Sequence, residues 1–397
     1  MKQIRDFMPE SWILVLSSFA AAYGVGLLAL LALPFLISAV INDLGLNEAQ
    51  AGLLLSAEFV FTMLASLIVA PLMGRAPRRT LTLIGALIAI SANVASASVP
   101  QVELLAILRC VTGIGTGLAF ACGNACVSSA RDPDKVAGYM NVFFVGLMII
   151  VMLAFASAMA SYGLAGLYYA MAITMAIMLL PIFLMKQQAD TSHHVHHQAA
   201  PDSKLLSGVA ISMMLAMFLF AARDTMGWAF VEQVGIRVGY DGETLGMLFS
   251  FQSFIGLIGP LMAAIIGKRF GMSTPVIIGV LACGGVSLGY VLGEHSKTMY
   301  TVAVMMISFT YFYALAYLTA LAASLDKQGR VVAACGSFLT LGIALGPAIS
   351  GALISMGGYS LAGWGIAAVS LATLIALMIP LSIAKERNRA MAAASMA

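Results

Sequence analysis

WILVLSSFAAAYGVGLLALLALPFLISAV, residues Trp12–Val40, is an apolar run of more than twenty residues that follows Lys2, Arg5, Asp6 and Glu10. About 20 helical residues cross the hydrocarbon core of a bilayer, so this run is long enough to do so. It is too long for a signal-peptide core, and no small-x-small cleavage context precedes Asp43. It is therefore read as a retained first span.

Runs of the same kind recur along the chain. Counting the first as 12–38, the others lie at roughly 50–73, 80–99, 104–127, 138–160, 163–185, 206–231, 245–267, 274–293, 299–322, 333–355 and 361–383, which makes twelve predicted spans. Two pairs are separated only by tight turns, Ser161-Tyr162-Gly163 and Gly357-Gly358-Tyr359. Merging either pair would give a helix far too long for a membrane.

Composition agrees with this reading. The chain is 61% hydrophobic and 9% charged, with a mean hydropathy of +0.99. A soluble domain carries about 25% charged residues, so this chain has too few charges to cover a water-facing surface. The 20 basic and 17 acidic side chains leave a formal charge of +3, with neither a nucleic-acid footprint nor an acidic tail. Cys110, Cys122, Cys126, Cys283 and Cys335 all fall in apolar stretches without metal spacing and read as small core residues. No GxxxxGK[ST] phosphate loop is present, so the chain is expected to use gradients, with no cofactor and no enzymatic activity.

The placement of charge sets the topology. Lys2 and Arg5, then Arg75, Arg78 and Arg79, Arg131 and Lys135, Lys186 and Lys204, Lys268 and Arg269, Lys327 and Arg330, and Lys385, Arg387 and Arg389 occupy every second connection. The alternate connections hold only Arg237 and Lys297. Positive charge stays on the cytoplasmic side, so both termini are expected there, and the regular alternation requires an even number of spans.

The polar interval KQQADTSHHVHHQAAPDSK, Lys186–Lys204, divides the spans six and six. The expected organisation is an N-terminal six-helix bundle over 1–186, a cytoplasmic linker over 187–204 and a C-terminal six-helix bundle over 205–397. His193, His194, His196 and His197 read as part of a solvated linker. The turn Gly74-Arg75-Ala76-Pro77-Arg78-Arg79 is echoed by Gly267-Lys268-Arg269-Phe270-Gly271, as a duplicated six-helix unit would leave it.

An ionisable side chain at the bilayer centre costs about 2.5–3.5 kcal/mol, which makes each one a functional candidate. Glu58 lies about 12 Å below the outer edge of the second span. Arg109 enters the fourth span from the same side, so the two are expected to meet as a proton-coupling pair, a substrate-anion anchor or a structural ion pair. In the seventh span, Asp224, Trp228 and Glu232 recur at i, i+4 and i+8 on one face, with Arg223 about 100° away. Arg223 and Asp224 are candidates for a gate pair, and Glu232 is expected near the outer interface. Tyr311, Tyr313 and Tyr317, with Phe312, cluster in the tenth span as candidates to line a solute cavity, and Tyr23 in the first is another. Asn124 is read as an interhelical hydrogen-bond donor. Gly113, Gly115 and Gly117, and then Gly342, Gly346, Pro347 and Gly351, predict close helix approach and a bend.

These residues resemble the major facilitator superfamily across essentially the whole chain. Ala70–Arg79 is similar to a worn GxLxDRxGRR signature, with Arg75, Arg78 and Arg79 at its basic positions, Gly74 in place of Asp and Pro77 in place of the second Gly. Arg109–Gly117 resembles the RxxxGxGxG pattern of the fourth span. The resemblance implies twelve helices in two six-helix bundles, alternating access around a midplane site, and a coupling or binding role for Arg109. It also implies that the outward-open state, which the missing Asp normally helps to latch, is stabilised differently or less strongly here. The fifth span lacks the Gly-Pro motif of drug–proton antiporters.

The expected function is proton-coupled transport of a small organic solute, anionic or aromatic, by a monomer in the bacterial inner membrane. The bilayer, the solute and protons are its expected partners, with no nucleic acid. The alternatives are a multidrug-type antiporter, favoured by 26 methionines, and a non-transporting membrane sensor.

Overall fold

The computed structural model describes residues 11–187, 207–267, 269, 271–325 and 330–394, without the side chains of Asp134, Arg330, Ala333 and 387–394. The linker histidines His193, His194, His196 and His197 lie outside the described residues, as do Lys2, Arg5, Lys204, Lys268 and Lys327.

Every regular element described is helical. In chain order these are α1 (Trp12–Phe19), α2 (Leu28–Leu44), α3 (Glu48–Val69), α4 (Arg78–Ser96), α5 (Val102–Ser128), α6 (Pro133–Phe183), α7 (Gly208–Trp228), α8 (Val231–Arg237), α9 (Gly242–Ile255), α10 (Ile258–Ile266), α11 (Ser273–Val291), α12 (Lys297–Leu325) and α13 (Arg330–Ala394). Ten stretches among the described residues are long and apolar enough to cross a membrane. In α6 and α13, two helices run together across non-helical glycines, Gly163 in the first and Gly357 with Gly358 in the second.

Gly163 has φ 58 and ψ −147, a conformation that essentially only glycine adopts. The carboxylate of Asp43 accepts the amide of Leu164 at 2.7 Å, capping the helix that starts beyond the kink. Asp241 caps α9 in the same way, accepting the amide of Thr244 at 2.9 Å and its hydroxyl at 2.7 Å. Those bonds, the amide's above all, hold the Asp241 carboxyl below the usual carboxylate range.

Three predicted spans are less regular than their hydropathy. The first is interrupted by a π-helical turn, Ala20–Val25, where the Gly26 amide bonds to Ala21 O at 3.0 Å. Met178 and Phe120 fill the space that a Cβ on Gly24 or Gly26 would need. The eighth divides at Gly256–Leu257, one turn before Pro260, whose missing N–H and ring disfavour a continuous helix there. The seventh ends at Trp228 and resumes at Val231, with Glu232 beyond the break from Asp224 and Trp228.

The chain forms two compact units, Met1–Leu44 with Ala57–Gln198, and Gly45–Ser56 with Ala199–Ala397. In the second unit, Arg237 lies 3.8 Å from Glu48 and 3.7 Å from Glu294, with its guanidinium 4.4 Å from the ring centroid of Tyr359. Gly52 meets Pro347 O, Gly351 meets Glu48 O, and the Ala348 amide donates to Ser56 Oγ at 3.0 Å. Lipid tails are as apolar as leucine, so helix association here depends on such close packing and on polar contacts.

Candidate functional site

The first unit is organised around α5. A Cβ on Gly113 would meet Glu58 O, and one on Gly117 would meet Thr62 O, both on α3. A Cβ on Gly115, facing the other way, would meet Gly85 O on α4. Alternating glycines thus let two neighbours reach the backbone of α5 from opposite sides, and Thr62 and Thr116 share a hydroxyl hydrogen bond of 2.8 Å at the contact.

That proximity brings Glu58 and Arg109 together. Arg109 Nη1 lies 3.1 Å from Glu58 Oε2 and donates to Asn93 Oδ1 at 3.1 Å, while Nη2 donates to Ser96 Oγ at 2.6 Å. The guanidinium carbon stands 4.4 Å from the ring centroid of Tyr168. Arg109 and Tyr168 are fully buried and Glu58 is 1% exposed. Among the described residues, Glu58 Oε1, Arg109 Nε and the Tyr168 hydroxyl have no hydrogen-bond partner. Protonating that carboxylate would leave Arg109 a buried cation without its counter-charge, which is costly unless the surroundings open to water. Asn93, Ser96 and Tyr168 escape a search for charge inside spans, because all three are neutral. The one cue to the first two is their position in the otherwise small and apolar run SANVAS.

In the second unit, Arg223 and Asp224 form an ion pair at 3.5 Å. Arg223 Nη1 also donates to Ser287 Oγ at 3.0 Å and Cys283 O at 3.3 Å, and the guanidinium lies 4.9 Å from the ring centroid of Phe220. The arginine side chain is 3% exposed and the aspartate side chain 19%. Neither Arg109 nor Arg223 is therefore an accessible anion anchor in this conformation. Trp228 packs against Phe249 with ring centroids 5.6 Å apart. Glu232, expected near the interface, is fully buried on α8, just beyond the two-residue break after Trp228. The neighbouring Val231 carbonyl accepts the Tyr300 hydroxyl at 2.8 Å.

The tyrosines of α12 divide between two surroundings. Tyr311 stacks on Phe220, with centroids 5.3 Å apart and planes 17° apart. Tyr313 and Tyr317 make an edge contact at 5.1 Å. The Tyr317 hydroxyl donates to Ala263 O and Gly267 O at 3.2 and 3.0 Å, so backbone carbonyls of α10 and its end occupy the polar tip offered for solute. Tyr313 lines an apolar cavity of about 390 Å³ with Met262, Pro275, Ile278 and Phe309.

Tyr23 sits on the π-helical turn, half-buried, with its ring 4.8 Å from that of Phe144. Its hydroxyl donates to Asn141 Oδ1 at 3.1 Å. Asn141 is exposed on α6 and is a polar position that hydropathy alone does not single out. Asn124, expected to bond between helices, instead donates to Phe120 O one turn back on its own helix. The short amide reaches its own i−4 carbonyl more readily than a neighbouring helix.

Within the worn signature, Arg78 is the buried member. Nε donates to Met73 O at 3.0 Å and Nη1 donates to Ala125 O and Ser129 Oγ, each at 2.9 Å. Its backbone amide bonds to Gln187 O at 2.9 Å. Arg78 thereby ties the turn to the end of α5 and to the chain after α6. Arg79 stands 5.9 Å from the Phe183 ring centroid, and Arg75 is exposed. Gly342 and Gly346 face α7, where a Cβ would meet Phe218 O and Thr225 Oγ1 respectively.

Comparison with known proteins adds the following. The sequence model of the Major Facilitator Superfamily matches residues 14–327. A D-xylose–proton symporter structure superposes with a TM-score of 0.71 at 14% identity, covering 92% of this chain and 95% of that one. A nucleoside transporter, NupG, gives 0.70 at 13% identity, with 92% and 98% covered. A bacterial homologue of the human lysosomal transporter Spinster gives 0.67 at 16% identity, with 93% and 95% covered. These identities establish a shared fold and nothing finer. No curated protein sequence matches the chain at a significant level.

Proposed function

The chain belongs to the major facilitator superfamily, and from that premise we propose that it is a proton-coupled secondary transporter moving a small organic solute by alternating access. It is a multi-pass membrane transporter of that superfamily and not an enzyme. The proposed setting is the bacterial inner membrane, with the transporter acting as a monomer.

The proposed count is twelve spans, supported by the length of two of the ten stretches. Stretches of 49 and 53 residues, Lys135–Phe183 and Ala334–Glu386, would measure about 74 and 80 Å as straight helices, against a hydrocarbon core of about 30 Å. Each holds its kink at glycine. With both divided, the proposed arrangement is six spans on either side of the 187–204 linker, in bundles over 1–186 and 205–397, and the alternation of basic connections supports cytoplasmic termini. Labelling single cysteines in a cysteine-free background is expected to place the Arg75–Arg79 turn and the Arg237 region on opposite faces of the membrane. Finding both on one face would break the topology.

The observation that carries the coupling proposal is the buried Glu58–Arg109 pair with an unpartnered carboxylate oxygen. In the proposed cycle Glu58 takes a proton when its surroundings open to water on one side and releases it on the other. Asn93 and Ser96 keep Arg109 in place while the ion pair is broken. Arg223 with Asp224 is the proposed second pair, and Trp228, Tyr311, Tyr313 and Tyr23 are proposed solute contacts. Gly113, Gly117, Gly346 and Pro347 provide the close contacts, and Arg75, Arg78 and Arg79 the cytoplasmic turn, that change between states. Tyr317, whose hydroxyl is held by two carbonyls, serves the wall by packing.

Reconstituted vesicles enclosing a pH indicator test this reading. Adding a transported solute from a panel of metabolites and drugs is expected to move protons with it. Solute uptake with no proton movement, for every solute taken up, would overturn it.

A further inference from the structure

Sulfur gathers in the first unit where the turn after α3 meets α5. Cys122 and Cys126 lie one turn apart on the same face of α5, a spacing that leaves about 5–6 Å between Cβ atoms. Cys122 Sγ stands 3.7 Å from Sδ of Met73 in the turn. Behind them, the Thr82 hydroxyl on α4 contacts Met185 Sδ at 3.6 Å and also reaches Cys122. All four sulfur-bearing residues are buried, both cysteines are free thiols, and all belong to the first unit.

Two sulfurs bound to one ion at about 2.3 Å stand about 3.8–4.0 Å apart at tetrahedral or trigonal angles. The Cys122–Met73 spacing of 3.7 Å is close to that of a shared ion. Among the described residues no three of histidine, cysteine, aspartate and glutamate come together, so the donors here are thiol and thioether. Donors of that softness suit Cu(I), zinc or an iron–sulfur cluster. A cluster needs four cysteines, and charge separates the other two. Arg78, itself buried, contacts Cys126 and holds the turn by donating from Nε to Met73 O at 3.0 Å. Two thiolates and this guanidinium leave a single negative charge, which a monovalent ion neutralises and Zn2+ overshoots. Uncompensated charge is costly in a buried site.

Ser18 supplies an independent sign. It is fully buried on α1 beside Cys126, yet its Oγ completes no hydrogen bond among the described residues. A buried hydroxyl in that state calls for an acceptor, and a thiolate at Cys126 is one. Access is short, because the residues on either side of Met73, Leu72 and Gly74, are exposed.

We infer that Cys122, Cys126 and Met73 form a binding site for monovalent copper, with Arg78 balancing its charge and Thr82 and Met185 behind it. On binding, Cu(I) takes both cysteine sulfurs as thiolates and their two protons leave to solvent. Cysteine spacing alone hides the site, since Met73 lies 49 residues before Cys122. The site is separate from Glu58 and Arg109 and requires no transported solute.

The test supplies Cu(I), without oxygen, to the full chain in detergent against the chromophoric competitor bicinchoninate. The wild type is expected to retain one copper per chain, and C122S/C126S to lose it. M73L is expected to bind at least about tenfold more weakly, equivalent to about 1.4 kcal/mol. C110S/C283S/C335S, which keeps only the two proposed cysteines, is expected to match the wild type. X-ray absorption at the copper edge is expected to show sulfur neighbours alone, at about 2.3 Å. Retention unchanged in C122S/C126S or M73L, loss in C110S/C283S/C335S, or nitrogen and oxygen neighbours, the mark of an adventitious ion only, would overturn the inference. The copper edge of the wild type decides the matter even if neither multiple variant folds.

Discussion

Replacing Arg109 with methionine is expected to destabilise the protein by about 3–5 kcal/mol and to abolish transport, because it strands a buried carboxylate. Glu58 is 1% exposed, its Oε2 has Arg109 at 3.1 Å and its Oε1 has no partner among the described residues. Methionine restores the bulk of the side chain but none of its donors. Asn93 Oδ1 also loses the guanidinium, at about 1–3 kcal/mol for a buried polar group left unsatisfied, whereas Ser96 Oγ keeps its bond to Ala92 O at 2.7 Å. The account further requires that E58M/R109M be more stable than R109M, since removing both charges leaves no unpaired ion. Unfolding of the purified variants in detergent, compared as a double-mutant cycle, measures this directly. A double variant less stable than R109M would mean that the ion pair is not what Arg109 contributes.

The second large effect is expected from G113L. At that position a Cβ would meet Glu58 O and lie 2.8 Å from Phe61 Cβ, and a backbone carbonyl yields far less than the end of a flexible side chain. Leucine must push α3 and α5 apart, breaking the 2.8 Å bond between Thr62 and Thr116 and separating Glu58 from Arg109. Overpacking costs about 1–3 kcal/mol in general, and loss of the ion pair adds to it. Little folded G113L protein is expected to accumulate. Gly146 is the internal control, because a Cβ there meets nothing within 4 Å. G146L is expected to fold within about 0.5 kcal/mol of wild type, as exposed substitutions usually do. Folded yield and monodispersity on size exclusion report both outcomes, and equal behaviour of the two variants would contradict the packing argument.

Much of this was open to reading from the residues in order. Apolar length marks where helices cross, because bilayer insertion depends on it, and arginine and lysine on every second connection supply the proposed sidedness. Counting residues from the outer edge put Glu58 and Arg109 at one depth, and the structure holds them 3.1 Å apart. What escaped such counting depends on partners distant in sequence. At the π-helical turn Ala20–Val25, Met178 and Phe120 pack closely against Gly24 and Gly26. Glu232 is buried just past an interruption of the helix at Ala229–Phe230 that a periodicity argument extends straight through. Tyr317 carries the cavity-lining signature of an aromatic residue in a span, yet α10 captures its hydroxyl. Asn93, Ser96, Tyr168 and Asn141 become visible only when the guanidinium or the phenol that each one contacts is in place.

Coupling through Glu58 is the claim on which the functional account turns, and E58Q in reconstituted vesicles addresses it most directly. Glutamine keeps the shape of the side chain and removes its exchangeable proton. The variant is expected to equilibrate solute downhill while losing both accumulation driven by an imposed pH gradient and inhibition by a protonophore. Accumulation by E58Q with the pH dependence and protonophore sensitivity of wild type would show that the proton travels by another route.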